Sequence, residues 1–262
     1  MRRTVVIKYG GHAMDKADLS EAFAGDLAQL AGQGVRIVVV HGGGPQISDL
    51  LKRLQIESRF VDGLRVTDEA AMQAVEMALC GTVNKDVVRR FSLGGVKAAG
   101  VSGRDGGLLT ARLKRKELGL VGDVVGVDPR ILDCLLDGGF LPVVAPVANG
   151  PDGEALNINA DTAAGAIAGA MHADDFVLVS DVPGVLDGEG RLIPSLDRER
   201  IARLRREEVI TGGMIPKVEA CLNGLAAGCG RSLILDGRQP SSLVRFLLHK
   251  EPLGTEVLST KD

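Results

Sequence analysis

The sequence predicts an α/β fold built on a parallel sheet. Two observations carry that expectation. Short apolar runs recur at residues 5–7, 35–40, 140–147, 176–180 and 232–235, and stretches with helical apolar spacing lie between them. Runs that are apolar throughout suit strands covered on both faces, as in a parallel sheet with right-handed crossovers. Glycine-rich turns follow the first two runs, and the 35 glycines in the chain fit many strand-to-helix junctions.

The elements follow in order. Val5-Val6-Ile7 reads as a buried strand, with Lys8 at its carboxyl end and Gly10 and Gly11 in the turn beyond. Asp18 and Glu21 resemble a capping box, and Leu19, Phe23, Leu27 and Leu30 continue a helix that Gly32 and Gly34 end. After the strand at 35–40, Pro45 suits the first turn of a helix whose apolar face is Ile47, Leu50, Leu51 and Leu54. Thr67 can cap a long helix running to about Phe91, with Asp68 and Glu69 at its positive end. A strand is expected at 96–101, short hairpins over 103–127, a helix from Asp128-Pro129 to Gly138-Gly139, and a strand at 140–147 whose pairing Pro142 limits. Asn149 to Gly153 is the strongest punctuation and is placed as the boundary between two lobes, 1–149 and 150–262. Beyond it come a small-residue helix at 162–171, a strand at 176–180, helices at 201–210 and after Lys217, a strand at 232–235, a helix at 241–249 and a short strand near Val257. Gly165 and Gly169 have the spacing of close-packed membrane helices, but the segment is too short to span a bilayer, so close packing on the sheet is expected.

Composition removes several function classes. Of 262 residues only 3% are aromatic, with no Trp, so base-stacking platforms are not expected. A net charge of −3 gives no steering toward nucleic acid or an anionic membrane. Cys80, Cys134, Cys221 and Cys229 form no C-x-x-C pair, and His12, His41, His172 and His249 are scattered, so neither a zinc site nor a disulfide framework is indicated. There is no apolar run of about 18 residues and no signal peptide pattern, which places the expected product in the cytoplasm.

What remains for chemistry sits at strand ends. Gly10 and Gly11 let backbone amides approach an anion. His41-Gly42-Gly43-Gly44 opens a helix and offers amides to a carboxylate or phosphate, although a tight turn with an internally bonded His41 explains it equally well. It is neither a P-loop nor a dinucleotide fingerprint. Arg65 can hold a carboxylate in a fork. Asn157 and Asn159 share one face of an extended segment, and Asp161 opens the next helix. Asp181 follows a buried strand, and Thr211 to Lys217 supplies flexible glycines and a second lysine. Two lysines, one aspartate and several glycine cradles suit phosphoryl transfer, which needs positioning and charge neutralisation more than covalent chemistry.

Taken together, Lys8-Tyr9-Gly10-Gly11, His41 to Pro45, Gly63 to Thr67, Asn157 to Asp161, Ser180 to Val185 and Thr211 to Lys217 resemble the amino acid kinase family in order and spacing, over essentially the whole chain. The resemblance implies a three-layer αβα sandwich with a mainly parallel central sheet. Within the family the motifs are most similar to members that phosphorylate the side-chain carboxylate of N-acetyl-L-glutamate with ATP, in arginine biosynthesis. It further implies that Lys8 and Lys217 neutralise charge on the transferring group and that Asp161 orients them. Gly43, Gly44, Arg65 and Asn157 would hold the acid, the first three of them in the lobe 1–149. Gly10 and Gly11 would touch phosphate, and Asp181, Val182, Pro183, Gly184, Val185, Leu186, Val209, Ile210 and Thr211 would line the nucleotide site, the latter nine in the lobe 150–262. Mg²⁺ is expected on the nucleotide phosphates and not in a protein cage. His12 departs from the family pattern, where Asn is more usual. The alternatives are a sister kinase for a related acid such as a carrier-bound aminoadipate, and a regulator that binds without catalysis; a Rossmann oxidoreductase fits the pattern but lacks the fingerprint. Arginine-inhibited members carry a helix ahead of the first strand that links dimers into a hexamer. Here only three residues precede Thr4, so a homodimer through the long helix, with little inhibition by arginine, is the expectation.

Overall fold

The computed structural model describes residues 2–11, 14 and 16–259. Its first half runs β1 (Thr4–Tyr9), α1 (Ala17–Gly32), β2 (Arg36–His41), α2 (Gly44–Arg53), and a hairpin of β3 (Phe60–Val61) and β4 (Leu64–Arg65). A long helix follows in three pieces: α3 (Glu69–Glu76), a π-helical stretch Met77–Val83, and α4 (Asn84–Leu93). Next come β5 (Ala98–Ser102), β6 (Leu109–Leu113), β7 (Gly122–Val127), α5 (Arg130–Asp137), β8 (Leu141–Ala145), β9 (Val147–Asn149) and β10 (Ala155–Asn157). The second half contains α6 (Ala160–Ala170), β11 (Asp175–Ser180), β12 (Ser195–Leu196), α7 (Arg198–Arg206), α8 (Met214–Ala226), β13 (Ser232–Asp236), α9 (Ser242–Leu247) and β14 (Thr255–Val257).

Among the described residues, eight strands form one sheet in the order β12-β14-β13-β11-β1-β2-β8-β5. Pairing is parallel except between β13 and β14. Alternation along each strand divides the core between two faces. Val6, Val38, Val40, Val144, Leu178 and Ile234 pack under α5, α6 and α8, while Val5, Ile7, Val39, Val143, Val177 and Leu235 pack under α1, α4 and α9. The result is the three-layer αβα sandwich with a mainly parallel sheet. Each fully buried aliphatic side chain contributes about 1.5–3 kcal/mol of transfer free energy, which explains why strands this short are held firmly. A smaller sheet, β10-β9-β6-β7, packs against α3 and α6. No helix among the described residues is long and apolar enough to cross a membrane.

Several local expectations are corrected. α1 starts at Ala17 with Lys16 at the cap position, so Asp18 lies in the first turn and no capping box forms. Asp68, not Thr67, caps α3 by accepting from Ala71 N, because the Thr67 hydroxyl donates to the Arg65 carbonyl. The strand expected at 140–147 breaks at Pro146 into β8 and β9, and β8 meets β2 only at Val143 and Val144, beyond Pro142. The punctuation expected at Asn149 to Gly153 is present, as the turn of the β9–β10 hairpin. Gly165 and Gly169 do mark close packing, but mainly against a helix. A Cβ on Gly165 would come 2.6 Å from the Ala220 carbonyl of α8, and one on Gly169 would overlap Ala227. His12 lies outside the described residues.

Candidate active site

β1 is the strand where the order of the sheet turns. Its neighbours β2 and β11 are both parallel to it and come from the two halves of the chain, so a crevice opens beyond its carboxyl end. Lys8 sits there. Its ammonium lies 3.1 Å from Asp161 Oδ1, and Lys217 Nζ donates to Asp161 Oδ2 at 3.2 Å. One carboxylate thus bridges two lysines drawn from β1 and α8. Asp161 is only 5% exposed. Burial acts to raise its pKa, but the Lys8 and Lys217 charges outweigh burial and hold the carboxyl below its usual range.

Local structure explains how these groups arrive. Asn159 caps α6 by accepting from the backbone N–H groups of Asp161 and Thr162, which places Asp161 in the first turn and not at the cap. Lys217 follows Pro216 in the opening turns of α8, where a proline costs no helix hydrogen bond. Gly10 leaves room for the Lys8 side chain: a Cβ there would stand 2.8 Å from Nζ. The turns after β1 and β2 abut, with Gly42 N donating to the Tyr9 carbonyl at 2.8 Å.

Beside this bridge lies a cavity of about 210 Å³ lined by Gly43, Gly44, Arg65, Asn157 and, among others, Leu79, Asn159 and Phe60. All four residues assigned to the acid therefore meet in one place. Arg65 is buried. It donates to Ser58 Oγ, to Ser48 Oγ at 2.8 Å and to the Gly44 carbonyl at 3.1 Å, and its guanidinium lies 4.7 Å from the Phe60 ring centroid. Burial lowers its pKa, though an arginine stays charged. Asn157 Nδ2 donates to Thr67 Oγ1 at 3.2 Å.

The residues assigned to the nucleotide are more dispersed. Gly11, at φ +64°, faces Asp181: a Cβ on Gly11 would lie 3.8 Å from its Cβ and Cγ. Val185 is held by Thr255, whose hydroxyl accepts from its N–H at 2.8 Å, and Gly184 lies close against the same hydroxyl. The side chains of Val185 and Ile210 belong to the core, and Val209 packs on it, so these residues can offer a nucleotide mainly backbone. Val182 and Pro183 are half-buried, and Leu186 and Thr211 are exposed.

The sequence profile of the amino acid kinase family matches residues 3–236. The chain belongs to the amino acid kinase family. It is 51% identical to the acetylglutamate kinase of Gluconacetobacter diazotrophicus, over 96% of this chain and 84% of that one. It is 49% identical to the acetylglutamate kinase of Gluconobacter oxydans, over 96% and 90%. In fold it resembles the carbamate kinase of Giardia lamblia bound to AMP-PNP, at 18% identity and a TM-score of 0.71, covering 98% of this chain and 99% of that one.

Some contributors to this candidate site were not singled out in the sequence. Ser48 and Ser58 fix the Arg65 guanidinium, yet an isolated serine carries no pattern. Leu79 enters the cavity wall from the π-helical stretch and meets Gly43, whose Cβ would stand 2.6 Å from Leu79 Cδ2. Asn159 was noted for its alternation with Asn157, but its capping role shows only in the helix start.

Proposed function

We propose that the chain transfers the γ-phosphoryl group of ATP to the side-chain carboxylate of N-acetyl-L-glutamate, giving N-acetyl-L-glutamyl 5-phosphate and ADP, a step of arginine biosynthesis. The carrying observation is the Lys8–Asp161–Lys217 bridge standing beside the Arg65 cavity. The acetylglutamate kinases it matches support the choice of acid.

In this reading an oxygen of the acid's side chain attacks the γ-phosphorus, and the bond to the ADP oxygen breaks. Carboxylate and phosphate are both anions, and their repulsion opposes approach. Lys8 and Lys217 offset it from fixed positions, which is effective because their charge is already oriented before reaction. Asp161 keeps the two ammonium groups apart and aimed. The fork of Arg65, with Gly43 and Gly44, holds the acid from residues 1–149, and Asn157 joins them from the start of residues 150–262. Residues 150–262 hold the nucleotide along Asp181 to Leu186 and Val209 to Thr211, while Gly10 and Gly11 present amides to its phosphates. Both Asp161 oxygens are engaged by ammonium groups, so Mg²⁺ is assigned to the nucleotide phosphates and water.

We further assign a cytoplasmic enzyme, in keeping with four unpaired cysteines. A two-fold homodimer through the long helix completes the reading, since Met77 and Leu93 on that helix are 60% and 77% exposed. ADP release coupled to NADH oxidation, run over a panel of acids, tests the reaction. Turnover with N-acetyl-L-glutamate supports it; turnover only with another acid would replace it.

A further inference from the structure

The long helix departs from α geometry over Met77–Val83, and the departure changes what faces the sheet. In an α-helix residues five apart point about 140° away from each other. In a π-helix the i→i+5 hydrogen bonds bring them to one face. Leu79 and Asn84 are such a pair. Leu79 presses on Gly43, and Asn84 is buried against three strands. Its amide nitrogen lies 2.9 Å from the Val143 carbonyl of β8, 3.3 Å from the Val101 carbonyl of β5 and 3.2 Å from His41 Nε2 of β2, so two N–H groups are shared among three acceptors. Gly100 of β5 makes room for it, since a Cβ there would overlap Asn84 Oδ1.

His41 completes the link. Its Nδ1 lies 2.7 Å from the Gly42 carbonyl, which can only accept, so Nδ1 carries the proton and Nε2 is the acceptor for Asn84. With the Gly42 carbonyl held, the planar trans peptide fixes the Gly43 N–H in the opposite direction. The backbone of Gly43 lines the acid cavity. We propose that Asn84 is a positioning residue for the acid substrate: acting through His41, it sets the Gly42–Gly43 peptide that receives the acid. This rests on the functional reading above. Burial lowers the His41 pKa to about 4, and the Lys85 charge acts in the same direction, so the neutral tautomer persists through the working pH range.

The test compares wild type, Asn84→Ala and Gly100→Ala, the last displacing Asn84 without altering it. Both variants are expected to raise the KM for N-acetyl-L-glutamate roughly 10- to 100-fold, the scale of an ångström-level misplacement, with the KM for ATP held within about twofold. A double variant with His41→Ala should lose no more than His41→Ala alone. A fall in thermal midpoint with both KM values unchanged would reduce Asn84 to a packing role and overturn the proposal, as would additive losses in the double variant. Wild-type protein that phosphorylates no acyl amino acid would refute the functional reading alone. Hydrogen exchange at the Gly43 amide then decides the inference: faster exchange in Asn84→Ala upholds it, and an unchanged rate overturns it.

Discussion

Replacing Asp161 by Asn removes one negative charge from between two ammonium groups and leaves the shape intact. Each contact, at 3.1 and 3.2 Å, carries about 5 kcal/mol of gross Coulomb attraction at an effective dielectric near 20. Desolvation of the three ions cancels most of that. What is measured on breaking such a buried pair from one side is about 3–5 kcal/mol, because unpaired charge stays behind. Urea unfolding of Asp161→Asn at pH 7 should therefore show a loss of that size. The sign of the pH dependence follows from the depressed pKa of Asp161. Its contribution is present above the unfolded-state value of about 3.9 and disappears as pH falls through the folded-state value, so the gap between variant and wild type should close only in acid. Turnover should fall roughly 100-fold, since both lysines lose their aim. Binding of the polyanionic nucleotide should survive, because the site becomes more positive. A variant with wild-type stability, or one whose only defect is weak ATP binding, would refute the bridging role.

Lys8→Ala and Lys217→Ala should each cost about 2.7–4 kcal/mol of transition-state stabilisation, read as kcat, with a smaller loss of stability than Asp161→Asn because the carboxylate keeps its other lysine; unchanged turnover in Lys217→Ala contradicts its role. Arg65→Lys should raise the KM for the acid and spare the KM for ATP, because lysine cannot reach Ser48, Ser58 and the Gly44 carbonyl at once. Equal KM values in variant and wild type would remove Arg65 from acid binding. His41, buried neutral with its pKa lowered to about 4, takes up a proton on unfolding. Stability should rise with pH between about 4 and 6.5, by roughly 3 kcal/mol in all, and His41→Gln should flatten that slope. Light scattering should give twice the monomer mass, and Leu93→Glu should lower it; a wild-type monomer would end the dimer assignment.

The parts of this site written in local sequence were legible. An apolar run ending in Lys8 and two glycines identifies a strand end whatever surrounds it, and the same holds for the run before His41. Both glycine turns accordingly reach the crevice beside β1. What escaped depends on contacts far apart in the chain. Nothing in Met77 to Val83 announces the shift to i→i+5 bonding, which accompanies the packing of Leu79 on Gly43 and of Asn84 against Gly100. The internal bonding of His41 was legible only as one of two alternatives, because its partner Asn84 is 43 residues away. Cap assignments failed at Asp18 and Thr67 for a related reason. Side-chain oxygens at a helix start have several backbone partners, and the fold chooses among them.

The most direct measurement of the central claim is ADP release by the purified protein with ATP, Mg²⁺ and N-acetyl-L-glutamate, with hydroxylamine added in parallel to trap the acyl phosphate as a hydroxamate. Burial of Arg65 beside the Lys8–Asp161–Lys217 bridge predicts turnover with this acid, hydroxamate formed in step with ADP, and loss of both signals in Lys217→Ala. ADP release without hydroxamate, or no turnover of N-acetyl-L-glutamate while another acid is phosphorylated, would contradict the account.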